Sequence, residues 1–176
     1  LRSGGHPLFM THIANDIQSY KKDSKKITHD LSSSVPESLR ALIDLQLSRL
    51  SINEQLVVEA ASVSGVEFCA ASVASATGLT MEAVEVVCER LIKQQHFLQD
   101  AGVIAWPDGT GSGNYRFRHA LYEQTLLERL VASRLVRMHR QIAERMEQAY
   151  GKRSPEVAAE LAQHFEASGL QLKAAV

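Results

Sequence analysis

Charge imbalance is missing from this chain, in which 19 Lys and Arg stand against 20 Asp and Glu for a formal net charge of −1 over 176 residues. No global field gathers nucleic acid or anionic lipid, so such a role would need a local patch. Cysteine is almost as scarce. The two present, Cys69 and Cys88, fall on two different predicted helices with no CxxC spacing and no His/Cys cluster around them, which leaves no pattern for a disulfide framework or a zinc site. Buried free thiols in a reducing cytoplasm are the expectation. No apolar run approaches the roughly 18 residues of a membrane span, and no charged-then-apolar leader opens the chain, so no membrane partner is expected. None of the 7 histidines shows HExxH spacing, and scattered residues make no Ser-His-Asp set. Neither a catalytic residue nor a metal ligand is expected.

What is present is apolar periodicity, with 45% hydrophobic residues, enough for one core or two small ones. Leu8, Phe9, Ile13, Ala14 and Ile17 stripe a helix from Pro7 to about Tyr20. A solvated linker follows, with Lys21, Lys22, Lys25 and Lys26 and the serines 32–34. Pro36 at the first helical position and Glu37 beside it start a second helix, lined by Leu39, Leu42, Ile43, Leu47 and Leu50 and ending near Leu50. Ser51 and Glu54 have capping-box spacing, opening a third helix to about Ser64.

Ala70 to Thr77, a turn at Gly78, and Met81 to Gln95 behind Thr80 as N-cap give helix-turn-helix spacing. Phe97–Asp100, Val103–Trp106 and Tyr115–Arg118 read as short β runs, separated by Ala101-Gly102 and by a loop from Pro107 to Asn114. Three helices followed by a small hairpin is the winged-helix order. The rest is helical again: His119 to Val131, Ser133 to about Tyr150, and Glu156 to Ala167 after Gly151 and Pro155. Gly169 then closes that helix and a new one starts near Leu170. Tight Gly/Pro punctuation suggests the opening of a helix-pair solenoid. The chain is therefore expected to be an excerpt, cut at Leu1 and again within the repeat array.

Several features invite a function. A helix that reads DNA needs Arg, Lys, Asn or Gln at base edges, but the Met81 helix carries Glu82, Glu85 and Glu89, answered by Arg90 and Lys93. Carboxylates facing phosphates repel, so DNA is not expected to bind here, and interdomain packing is the favoured reading. Arg134, Arg137 and Arg140 share the helix whose apolar stripe is Leu135, Met138, Ile142 and Met146. That face is a solvated surface, or a dock for an acidic partner or a neighbouring domain. Gly109-Thr110-Gly111-Ser112-Gly113 has no following Lys-Ser/Thr, and Gly151-Lys152 lacks the rest of a P-loop. A flexible loop tip and a helix-ending glycine explain them. His119 stands apart, because the alternation of Tyr115 to Arg118 delivers it to a helix start, where unpaired amides favour an anion. It reads as a phosphate sensor, or as a surface histidine capping that turn.

The order of segments resembles the STAND class of signalling AAA+ ATPases, most closely the bacterial branch that joins the ATPase to tetratricopeptide-like repeats, as in cyclase-associated and MalT-like regulators. Three motifs carry the resemblance: Gly4-Gly5-His6-Pro7-Leu8-Phe9, similar to the Gly-x-Pro lid signature; Val35-Pro36 to Leu50, similar to the branch's VPxSLRALI helix; and Phe117-Arg118-His119-Ala120-Leu121, similar to its FRHAL run. Arg118 and Ala120 stand where the family's Met-His-Asp motif has Met and Asp.

The resemblance implies a mostly α chain: a partial helical lid over 1–50, a winged helix with a small hairpin wing over 51–132, and the start of antiparallel tetratricopeptide-like helices over 133–176. It implies an ATP/ADP site shared with an upstream AAA+ core absent from this sequence, with Gly5 and Pro7 at the nucleotide and His119 at the β-phosphate. It further implies partners in that core, in downstream repeats and in a possible further protein. Without Walker A and Walker B this segment is not expected to hydrolyse ATP. A DNA-binding regulator and a nucleotide-independent scaffold are the alternatives.

Overall fold

Apolar periodicity drives a mostly helical chain with a small antiparallel sheet, and the computed structural model describes residues 37–94 and 97–169 of it. The expected lid helix, the linker and the helix start near Leu170 lie outside the described residues. Helix α1 spans Glu37–Leu47, shorter than the expected end at Leu50, because residues 48–50 close it in a turn with Leu50 N–H bonded to the Leu47 carbonyl. Ile43 and Leu47 are buried on its inner face.

Helix α2, Ile52–Ser64, opens on the expected capping box: Glu54 N–H donates to Ser51 Oγ at 3.3 Å, and Ser51 N–H donates to Glu54 Oε2 at 2.8 Å. Burial alone would raise the Glu54 carboxyl, but the Ser51 hydrogen bonds and the Arg90 charge outweigh it and hold the group below its usual range. Strand β1, Glu67–Cys69, was not anticipated. It is three residues long and places Cys69 at a strand end and the N-cap of the next helix, rather than within a helix. Helix α3, Ala70–Thr77, stops at Gly78 in the left-handed region, where glycine carries no side-chain penalty. Helix α4, Met81–Lys93, starts with Ala83 N–H bonded to Thr80 Oγ1 and ends before the expected Gln95.

The two β runs after α4 form a single strand, β2, Leu98–Ala105, because a bulge between Asp100 and Gly102 absorbs the break. The expected loop to Asn114 is also much shorter. Trp106-Pro107-Asp108-Gly109 makes the turn, with Gly109 N–H bonded to the Trp106 carbonyl, and β3 begins at Gly111 and runs to Phe117. The glycines 111 and 113 are therefore strand residues rather than a flexible tip. A Cβ at Gly113 would overlap the hydroxyl end of the buried Tyr115 ring, which would have to shift to admit it. Strand order is β1-β3-β2, antiparallel throughout, with β3 central.

Helix α5, Ala120–Arg129, follows with His119 as its N-cap, and α6 spans Ala132–Tyr150. Gly151 ends α6 as expected. The anticipated helix from Glu156 is preceded by a 3₁₀ stretch, Gly151–Val157, that takes in Pro155, and α7 proper is Ala158–Ala167. One continuous core joins these elements: Val57, Val73, Leu91, Phe97, Leu126, Met138 and Ile142 are all essentially inaccessible to solvent. Both cysteines are buried and free, and burial with the nearby Glu85 pushes the Cys88 thiol up to about 12. Among the described residues no single helix is long and apolar enough to cross a membrane.

Candidate functional site at the hairpin and the start of helix α5

Strand β3 ends at Phe117, and two residues later the chain enters α5, so His119 is held by the sheet on one side and the helix on the other. The junction is hydrogen-bonded: Arg118 N–H donates to the Phe97 carbonyl at 2.8 Å, and Tyr122 N–H donates to the His119 carbonyl at 3.1 Å. The His119 side chain is exposed and makes no capping hydrogen bond to its own helix. Its ring lies 6.2 Å from that of Tyr122. Arg118 is exposed beside it, with Nε donating to the Leu98 carbonyl at 3.3 Å. The first turn also carries Glu123, half-buried, whose carboxyl is pushed up by that burial. An imidazole, a guanidinium and helix-start amides thus share one exposed corner. Gly5 and Pro7 lie outside the described residues.

The hairpin tip is fixed by contacts that span 35 residues or more and that no local pattern announced. Arg145 on α6 donates to Asp108 Oδ2 at 2.9 Å and to Thr110 Oγ1 at 2.8 Å, and its guanidinium lies 4.7 Å from the centre of the Trp106 ring. The Tyr150 ring is 6.3 Å from the same indole. Asp108 also accepts the Thr110 N–H, and that bond, with Arg145, lowers its carboxyl. The Pro-Asp-Gly signature of the turn was readable; the arginine that grips it was not. Replacing Arg145 by Ala should lower the unfolding midpoint by roughly 2–4 °C and, because Trp106 is the sole tryptophan, shift its fluorescence toward that of an exposed indole. An unchanged emission spectrum would show that the tip does not depend on Arg145.

The face of α4 that meets the hairpin is acidic. Glu85 Oε1 accepts the Gly113 N–H at 2.9 Å, Glu89 pairs with Lys93, and Asp100 lies opposite them on β2. Burial first, and then Cys88, Glu85, Glu89 and Asp100, push the Tyr115 phenol well above its usual range. The basic row on α6 is partly neutralised, since Arg134 pairs with Glu59 at 2.7 Å and Arg140 with Glu144 at 2.8 Å. Among the described residues no group of three or more His, Cys, Asp or Glu side chains could hold a metal ion.

Comparison of the chain with protein-family models, with curated proteins and with solved structures finds no match in any of the three.

Proposed function

We propose that this chain is the regulatory segment of a nucleotide-switched signalling ATPase of the STAND class, in which α2 to β3 act as a winged helix and α6 and α7 open a tetratricopeptide-like array. The single observation that carries the reading is His119: an exposed imidazole at a helix start, placed by a hydrogen-bonded strand-to-helix junction. Such a group is suited to donate to the β-phosphate of an ADP held by an upstream core, with Gly5 and Pro7 at the same nucleotide. A charge-assisted hydrogen bond of about 1.5–3 kcal/mol biases two states by roughly ten- to a hundredfold, sufficient to set a resting form. Output then requires the hairpin to move relative to the core, and the Arg145 contacts would carry that motion into α6.

Sequence-specific DNA binding is disfavoured on two grounds: α4 presents Glu85 and Glu89 toward the hairpin, and the hairpin tip is packed on α6 instead of projecting toward a duplex backbone. The test is ADP dissociation from the longer protein carrying its ATPase core. His119→Ala should speed ADP release by roughly ten- to a hundredfold and raise basal output. Unchanged release would remove His119 from the mechanism, and absence of any ADP binding by the longer wild-type protein would favour a nucleotide-independent scaffold.

A further inference from the structure

Where the sheet meets the C-terminal helices there is a cavity of about 240 Å³, whose lining does not include His119. About half of its lining is apolar, from Phe68 on β1, Trp106 in the hairpin turn, and Ile142, Met146 and Tyr150 on α6, and the other half is polar. At one end lies Ser64, whose Oγ is buried and has no hydrogen-bond partner. Buried hydroxyls are ordinarily satisfied, so an orphan in a cavity wall marks a place for a polar group. At the rim stand two carboxylates, Glu67 and Glu160. They differ. Glu67 already accepts the Asn114 side-chain amide at 2.6 Å, whereas among the described residues no lysine, arginine or histidine pairs with Glu160.

The cations near the cavity are spoken for. Arg145 lies against Trp106 but is held by Asp108 and Thr110, and Arg153 is gripped by both Glu156 oxygens at 2.7 and 2.8 Å. No basic side chain lines the cavity. The charged groups in its lining are both carboxylates, and the Tyr150 phenol is pushed up by burial and then by Glu160. Partial desolvation likewise raises the Glu160 carboxyl, although the side chain stays open to solvent. A preformed apolar pocket with a few convergent polar groups is the usual form of a small-molecule site, and an ammonium group is attracted both by a carboxylate and by aromatic faces.

We propose that this cavity binds a small primary amine, its apolar body lying between Phe68, Trp106, Ile142 and Met146 and its ammonium group meeting the carboxylate of Glu160. The site stands independently of the nucleotide reading, and Trp106 in its wall reports on it directly. The probe is 2-cyclohexylethylamine titrated into the full chain and followed by Trp106 fluorescence, alongside the neutral 2-cyclohexylethanol and the anionic 3-cyclohexylpropionate. The amine should bind saturably and at least about tenfold more tightly than either analogue, a ratio typical of one charge-assisted contact. Glu160→Gln, a near-isosteric change at the rim, should erase that preference while leaving the circular dichroism spectrum unaltered, and Glu67→Gln should weaken amine binding less. Equal affinity for alcohol and amine, amine binding unaffected by Glu160→Gln, or no saturable signal with any of the three would each overturn the proposal.

Discussion

Replacing Phe97 by Ala should cost about 3–5 kcal/mol of folding stability, the range for deleting a fully buried aromatic ring. Phe97 is 1% exposed, and its ring meets Tyr122 edge-on at a centroid distance of 4.9 Å. Its backbone sits at φ 47°, making it the one non-glycine residue with positive φ among the described residues. A side chain in that region costs roughly 1–2 kcal/mol, a strain held in place by the ring below it and by the Arg118 N–H on its carbonyl. Glycine should therefore reverse its normal ranking here. Phe97→Gly should be more stable than Phe97→Ala by up to about 1 kcal/mol, whereas at ordinary positions Gly is the worse of the two. Urea unfolding of both variants measures the difference. A glycine variant clearly less stable than the alanine one would mean that the backbone at 97 relaxes once the ring is gone.

Acidification should weaken the fold through the histidine pair that joins α6 to α7. His139 Nδ1 and His164 Nδ1 lie 2.8 Å apart, so one nitrogen donates and the other accepts. Burial, and then the neighbouring His139, bring His164 down from 6.5 to about 4, and burial lowers His139 as well. Well above pH 6.5 His164 is neutral in both folded and unfolded chains and adds no pH dependence. As the pH falls from there toward 4, the unfolded chain takes up a proton that the folded one refuses. Stability from this group should drop by about 2 kcal/mol between pH 7 and pH 5 and level off near 3 kcal/mol below pH 4. Urea midpoints at pH 7 and pH 5 for the wild type and for His164→Gln separate it from ordinary carboxylate titration. The variant should lose that part of the slope, and an identical slope in both proteins would exclude the pair as its source.

How much of this was legible depended on the range of the interaction. The Ser51–Glu54 capping box, the Thr80 N-cap, the Gly78 stop and the end of α6 at Gly151 are contacts within a few residues, and the sequence pattern located each of them. Features made by pairing across distance were not legible. Strand β1 exists because Phe68 pairs with Tyr115 across 47 residues, and three residues of local sequence are too few to announce a strand. The bulge at Ala101 joined two β runs that local punctuation separates, and the glycines 111 and 113 look like a loop until β2 is placed beside them. The candidate site divides the same way. The position of His119 between a strand and a helix was legible because alternation followed by helical periodicity is a local pattern. Arg145, the Glu160 cavity and the His139–His164 contact depend on how α6 and α7 lie against the rest, which periodicity alone does not fix.

The central place of β3 has a mechanical consequence. His119 is two residues beyond that strand, so a pull on the imidazole is applied lengthwise to the middle ribbon of the sheet. Its hydrogen bonds to β1 and β2 run across that direction, and both rows are loaded together in shear instead of opening one after another like a zipper. A tug at this corner therefore displaces the sheet as a block before it peels it, and the turn at Trp106 to Gly109, gripped by Arg145, travels with that block into α6.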